Sequence, residues 1–73
     1  MNLKKLLTRT EYSILELLAD GKSNKEIADA LFRAEKTIAY HVMNIYCKLG
    51  VDNPQRVNAA LIYLKEVNNE IRN

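Results

Sequence analysis

Seventy-three residues with eleven Lys or Arg, nine Asp or Glu, one His and one Cys make a weakly basic chain of net charge +2. That length holds one domain, since domains run from about 50 to 250 residues. One Cys excludes an internal disulfide, and one Cys with one His excludes a four-ligand zinc site. With Gly21 and Gly50 as the only glycines there is no loop to cradle a phosphate. No catalytic group, metal or cofactor is therefore expected, and the chain does not read as an enzyme. No apolar run approaches the roughly 18 residues of a membrane helix, and no signal peptide is seen. A cytoplasmic chain with no membrane partner is the expectation. Charge is evenly spread: residues 1–22 carry four basic and three acidic groups, and residues 51–73 carry three of each. Function must be sought in the arrangement of helices.

The first expected helix opens at Thr8-Arg9-Thr10-Glu11, a capping box in which hydroxyl and carboxylate each satisfy an orphan backbone amide. Ile14, Leu15, Leu17 and Leu18 form its apolar face, and Asp20-Gly21 ends it. A second capping box, Ser23-Asn24-Lys25-Glu26, opens a short helix with Ile27, Ala28 and Leu31 on its buried stripe.

The third helix runs from about Glu35 to Leu49. Ile38, Val42, Ile45 and Leu49 recur at the spacing of one narrow face, while Lys36, Ala39, Tyr40, Met43 and Cys47 lie opposite. Gly50 stops it. Asn53-Pro54 reads as an N-cap and first position for a last helix over about 54–68, with frayed residues beyond. There Val57, Ala60, Leu61 and Leu64 suit the core, and Ala59, Ile62 and Tyr63 form a second apolar stripe for a dimer. No segment alternates as a half-buried strand does. The fold class is all-α, a four-helix bundle in which a short helix, a tight turn and a longer helix make a helix-turn-helix.

One register runs through Leu7-Thr8 and Glu11, Leu15, Leu18-Ala19, Gly21, Ser23-Asn24-Lys25-Glu26-Ile27-Ala28, Leu31, Glu35-Lys36-Thr37-Ile38, His41 and Lys48-Leu49-Gly50-Val51. It closely resembles the LuxR/FixJ-type helix-turn-helix domain of bacterial transcription regulators. The likeness covers about residues 6–65 of a single domain spanning 1–73. It suits either the free-standing, GerE-type members or the output domain of a longer chain.

The resemblance implies a sequence-specific transcription regulator that binds duplex DNA, with its third helix in the major groove. It further implies a homodimer through the fourth helix, and RNA polymerase as a further partner. By carry-over, Ala39, Tyr40 and Met43 face base edges, joined on the outward surface by Lys36 and Asn44. Thr8, Lys25, Thr37 and Lys48 fall to phosphate contact or to holding the helix ends near the phosphate. Four positions depart from the family pattern. Thr10 replaces an Arg, Arg33 an apolar residue of the turn, Ala34 a Ser cap, and Ala39 a basic residue that opens the reading face.

The remaining polar residues read as structural. His41 lies beside the core stripe as a packed histidine, and Cys47 is a surface thiol. Glu11, Glu16, Asp20, Glu26 and Asp29 read as solvated helix charge. Two readings compete with DNA recognition: a degenerate domain acting by protein binding as an anti-activator, and a sigma-factor-like module working through polymerase. Ala39 and the low net charge feed the first.

Overall fold

A computed structural model describes the backbone of residues 2–72 and the side chains through Glu70. It contains five helices among these residues: α1 (Leu3–Leu6), α2 (Arg9–Ala19), α3 (Asn24–Leu31), α4 (Glu35–Leu49) and α5 (Gln55–Arg72). The four expected helices are α2 to α5, and α1 is one additional turn. None is long and apolar enough to cross a membrane.

Both capping boxes form. Thr8 Oγ1 accepts from the Glu11 amide at 3.1 Å while Glu11 Oε1 accepts from the Thr8 amide at 2.9 Å. Ser23 and Glu26 repeat the pattern at 3.1 and 2.9 Å. Each box satisfies two amides that helix geometry would otherwise leave open. Gly21 (φ 87°) follows α2, and Gly50 (φ 64°) caps α4 in the left-handed region where a Cβ is costly.

The apolar faces converge on one core. Leu3, Ile14, Leu15, Ile27, Ile38 and Ile45 are its largest fully buried side chains, and Leu7, Leu18, Ala28, Val42, Leu49 and Ala59 are buried with them. Tyr46, which the narrow stripe of α4 leaves out, is buried too. α5 lies chiefly along α2, and α3 along α4.

The last helix departs from expectation in three ways. The Pro54 carbonyl accepts from the Asn58 amide, so the regular helix starts one residue later, at Gln55. It also continues to Arg72, where fraying was expected beyond Asn68; Asn73 lies outside the described residues. Most consequentially, its two apolar stripes are exchanged. Ala59 is fully buried, and Ile62 and Tyr63 pack on the core, whereas Val57, Leu61 and Leu64 are about half exposed. Of the residues expected inward, Ala60 alone packs against the core.

Polar ties explain this rotation. The Tyr63 hydroxyl donates to Glu16 Oε2 at 3.2 Å, and its ring meets Tyr12 edge-on at 5.8 Å. Glu66 accepts from the Leu3 amide through both carboxylate oxygens, at 2.9 and 3.1 Å. Small Ala59 lets the backbone approach the core on the same side. These partners are far apart in sequence, so periodicity alone could not rank the two stripes.

Candidate nucleic-acid interface

Recognition requires a helix whose inner face is anchored and whose outer face is free. α4 meets both conditions. Ile38, Val42, Ile45, Tyr46 and Leu49 hold it from beneath, while Lys36, Ala39, Tyr40, Met43 and Cys47 are exposed. Tyr40 and Met43 keep 64% and 55% of their surface open, too much to be a packing face. Fifteen residues at about 1.5 Å each make a rod about 22 Å long, and a DNA major groove about 12 Å wide admits a helix.

The expected contact residues divide by burial. Lys36, Ala39, Tyr40 and Met43 share the outward surface, and Lys25 is exposed in the first turn of α3. Asn44 and Thr37 are half-buried at the margins of that surface. Thr8 is exposed, with its hydroxyl oxygen occupied as the cap of α2.

His41 is half-buried behind the outward face, its ring edge-on to Tyr40 at 5.7 Å. Its Nδ1 is buried and has no hydrogen-bond partner among the described residues. The ring therefore backs Tyr40 from the protein side.

Lys48 has an internal role beyond phosphate contact. Its ammonium lies 2.7 Å from Glu11 Oε1, joining the end of α4 to the start of α2. Glu11 is not the solvated charge expected from its place in the sequence: only 4% of the residue is exposed. Burial pushes its carboxyl up, but the Lys48 ammonium, the Thr8 amide and the Thr8 hydroxyl outweigh this and hold it below the usual range. A capping glutamate is usually solvated, so its sequence position concealed the ion pair.

Arg56 is the residue that motif reading missed. Its guanidinium donates to Asn24 Oδ1 at 2.9 Å and to the Lys22 carbonyl at 2.7 Å. It thereby ties the first turn of α5 to the start of α3, beside Lys25. A lone Arg after Pro gives no sign in sequence of a partner more than thirty residues away.

A capped short helix, the turn at Phe32-Arg33-Ala34 and a longer helix with an anchored inner face define a helix-turn-helix DNA-binding domain. The chain belongs to the luxR family of bacterial regulatory proteins, whose model matches residues 5–62. It is 52% identical over 66 residues to the uncharacterized transcriptional regulatory protein YhcZ of Bacillus subtilis, covering 89% of this chain and 30% of that protein. It is 41% identical over 64 residues to the spore germination protein GerE of the same organism, covering 88% of this chain and 86% of that one. The transcriptional regulatory protein LiaR, also from Bacillus subtilis, is 47% identical over 55 residues, covering 75% of this chain and 25% of LiaR. The chain thus spans most of GerE but less than a third of YhcZ and LiaR. Membership makes it a DNA-binding domain of transcription regulation, which is not an enzyme class.

Proposed function

We propose that the domain reads a duplex site by laying α4 in the major groove, with the exposed surface of Lys36, Ala39, Tyr40 and Met43 toward the bases. The observation that carries this reading is that outward surface itself. It is open and seated on a rigid core, and its lysine makes no ion pair among the described residues. Ala39, Met43 and the Tyr40 ring suit the methyl group of thymine, and Asn44 at the margin offers an amide for adenine, so an A·T-rich half-site is expected. Lys25, Thr37 and the helix ends supply phosphate contacts and the salt dependence that follows from them. Lys48 joins them at reduced strength, because Glu11 shares its charge.

The domain works in the bacterial cytoplasm on the nucleoid, as a homodimer through α5. With the stripes exchanged, Val57, Leu61 and Leu64, which recur at i, i+4 and i+7 and remain exposed, support this pairing in place of Ala59, Ile62 and Tyr63. RNA polymerase is a further partner on this reading.

Selection of bound duplexes from a random library, with the stoichiometry of the complex measured alongside, tests this. Lys25→Ala should weaken all duplexes alike and lower the salt slope by about 1. Tyr40→Ala should instead blur the preferred sequence. If Tyr40→Ala leaves selectivity intact and abolishes binding to a protein, Tyr40 and Met43 form a protein contact and the anti-activator reading replaces this one.

A further inference from the structure

The turn between α3 and α4 carries an unusual residue. Phe32 sits at φ 56° and ψ 46°, the left-handed region, where bulky side chains are outliers and Gly or Asn is usual. The residue is 96% exposed and joins no core packing within the domain. Backbone strain and an uncovered phenyl ring therefore coincide at one position. A local outlier with no internal compensation is a reason to look for an external one.

The surroundings of Phe32 are specific. Its chain neighbours Leu31 and Arg33 line, with Arg9, Thr10 and Ser13, a notch of about 230 Å³ between α2 and the turn. Arg9 and Arg33 are exposed, and neither guanidinium is ion-paired among the described residues. Asp29 and Glu35 stand on the flanking helices but do not line the notch. The lining thus holds two cations and no anion, with Leu31 as an apolar wall.

We propose that this notch docks an acidic protein segment bearing an apolar side chain. Carboxylates would pair with Arg9 and Arg33 through the bidentate geometry that guanidinium favours. The apolar side chain would cover Leu31 and the Phe32 ring. Charge complementarity selects an acidic occupant, and Leu31 with the exposed Phe32 ring favours one that also carries an apolar side chain. None of the residues that line the notch belongs to the outward face of α4.

Panning a displayed library of random dodecapeptides on the full chain tests this. The expected outcome is enrichment of peptides rich in Asp or Glu with Leu, Phe or Trp. Their binding should fall about tenfold or more in Phe32→Gly, as for an anchor side chain, and likewise in the Arg9→Glu, Arg33→Glu double variant. Phe32→Gly relieves the left-handed strain, so its melting temperature should not fall and lost binding would not reflect unfolding. Its affinity for duplex DNA should be unchanged. Recovery of basic peptides, of none, or of peptides that bind the variants equally well would overturn the proposal. A parallel loss of duplex binding in Phe32→Gly would overturn it in favour of a DNA contact.

Discussion

Ala34 and Phe32 show how a single residue sets the quality of the helix-turn-helix turn. Ala34 occupies the N-cap of α4 with φ −71° and ψ 143°, suitable cap geometry, but offers no side-chain acceptor. Ala34→Ser should stabilise the domain by about 0.5–2 kcal/mol, read by thermal or urea melts. No gain would mean that the open amides are already satisfied from elsewhere. Phe32→Gly acts through the backbone instead. Removing about 1–2 kcal/mol of left-handed strain, less about 0.5–1 kcal/mol for the freer unfolded chain, leaves an expected gain of about 0–1.5 kcal/mol. A loss on that substitution would show that the exposed ring supports the fold after all.

At the scale of elements, the Glu11–Lys48 pair fastens the end of the recognition helix to the start of α2. Lys48→Met would leave a buried carboxylate short of a partner. Because the lysine side chain is itself 37% exposed, the expected cost is reduced to about 1–2 kcal/mol. The same pair gives stability a defined pH dependence. The carboxyl is held below its ordinary value of 4.5, so the unfolded chain binds the proton more readily. Its stabilisation is complete above about pH 4.5 and is lost as pH falls through the lower, folded value. Urea melts of wild type and Glu11→Gln should therefore converge in acid. A constant difference down to the lowest measurable pH would assign the effect to packing.

Much of this element structure was legible in the sequence. Both capping boxes, the limits of α4 and the outward surface of Lys36, Ala39, Tyr40 and Met43 follow from local signals, because caps and helical periodicity act within four residues. The phase of α5, the buried state of Glu11 and the role of Arg56 were not legible. Each depends on a partner more than thirty residues away, and nothing in the neighbouring residues encodes it.

For the molecule as a whole, the exchange of stripes on α5 relocates the surface through which two copies would join. Val57, Leu61 and Leu64 lie on one side of an 18-residue helix and are about half exposed. Leu61→Glu should lower dimerisation in sedimentation experiments and weaken cooperative binding to a two-half-site duplex, while the melting temperature holds. Ile62→Glu should instead destabilise the fold, since Ile62 packs on the core. If Leu61→Glu dimerises as wild type does, the contact lies elsewhere.

The Arg56 tie has a consequence for the geometry of such a pair. Arg56 immediately precedes Val57, so the residue that grips α3 adjoins the stripe that would meet the second copy. The paired domains would then behave as a caliper whose jaws are the two recognition helices and whose hinge is locked by two hydrogen bonds. Half-sites lie about 34–36 Å apart, and each inserted base pair turns the second by roughly 35° about the DNA axis. A locked caliper should reject a one-base-pair insertion that a loose one tolerates. Arg56→Ala should accordingly narrow the affinity gap between correctly spaced and mis-spaced duplexes, with binding to a single half-site left nearly unchanged.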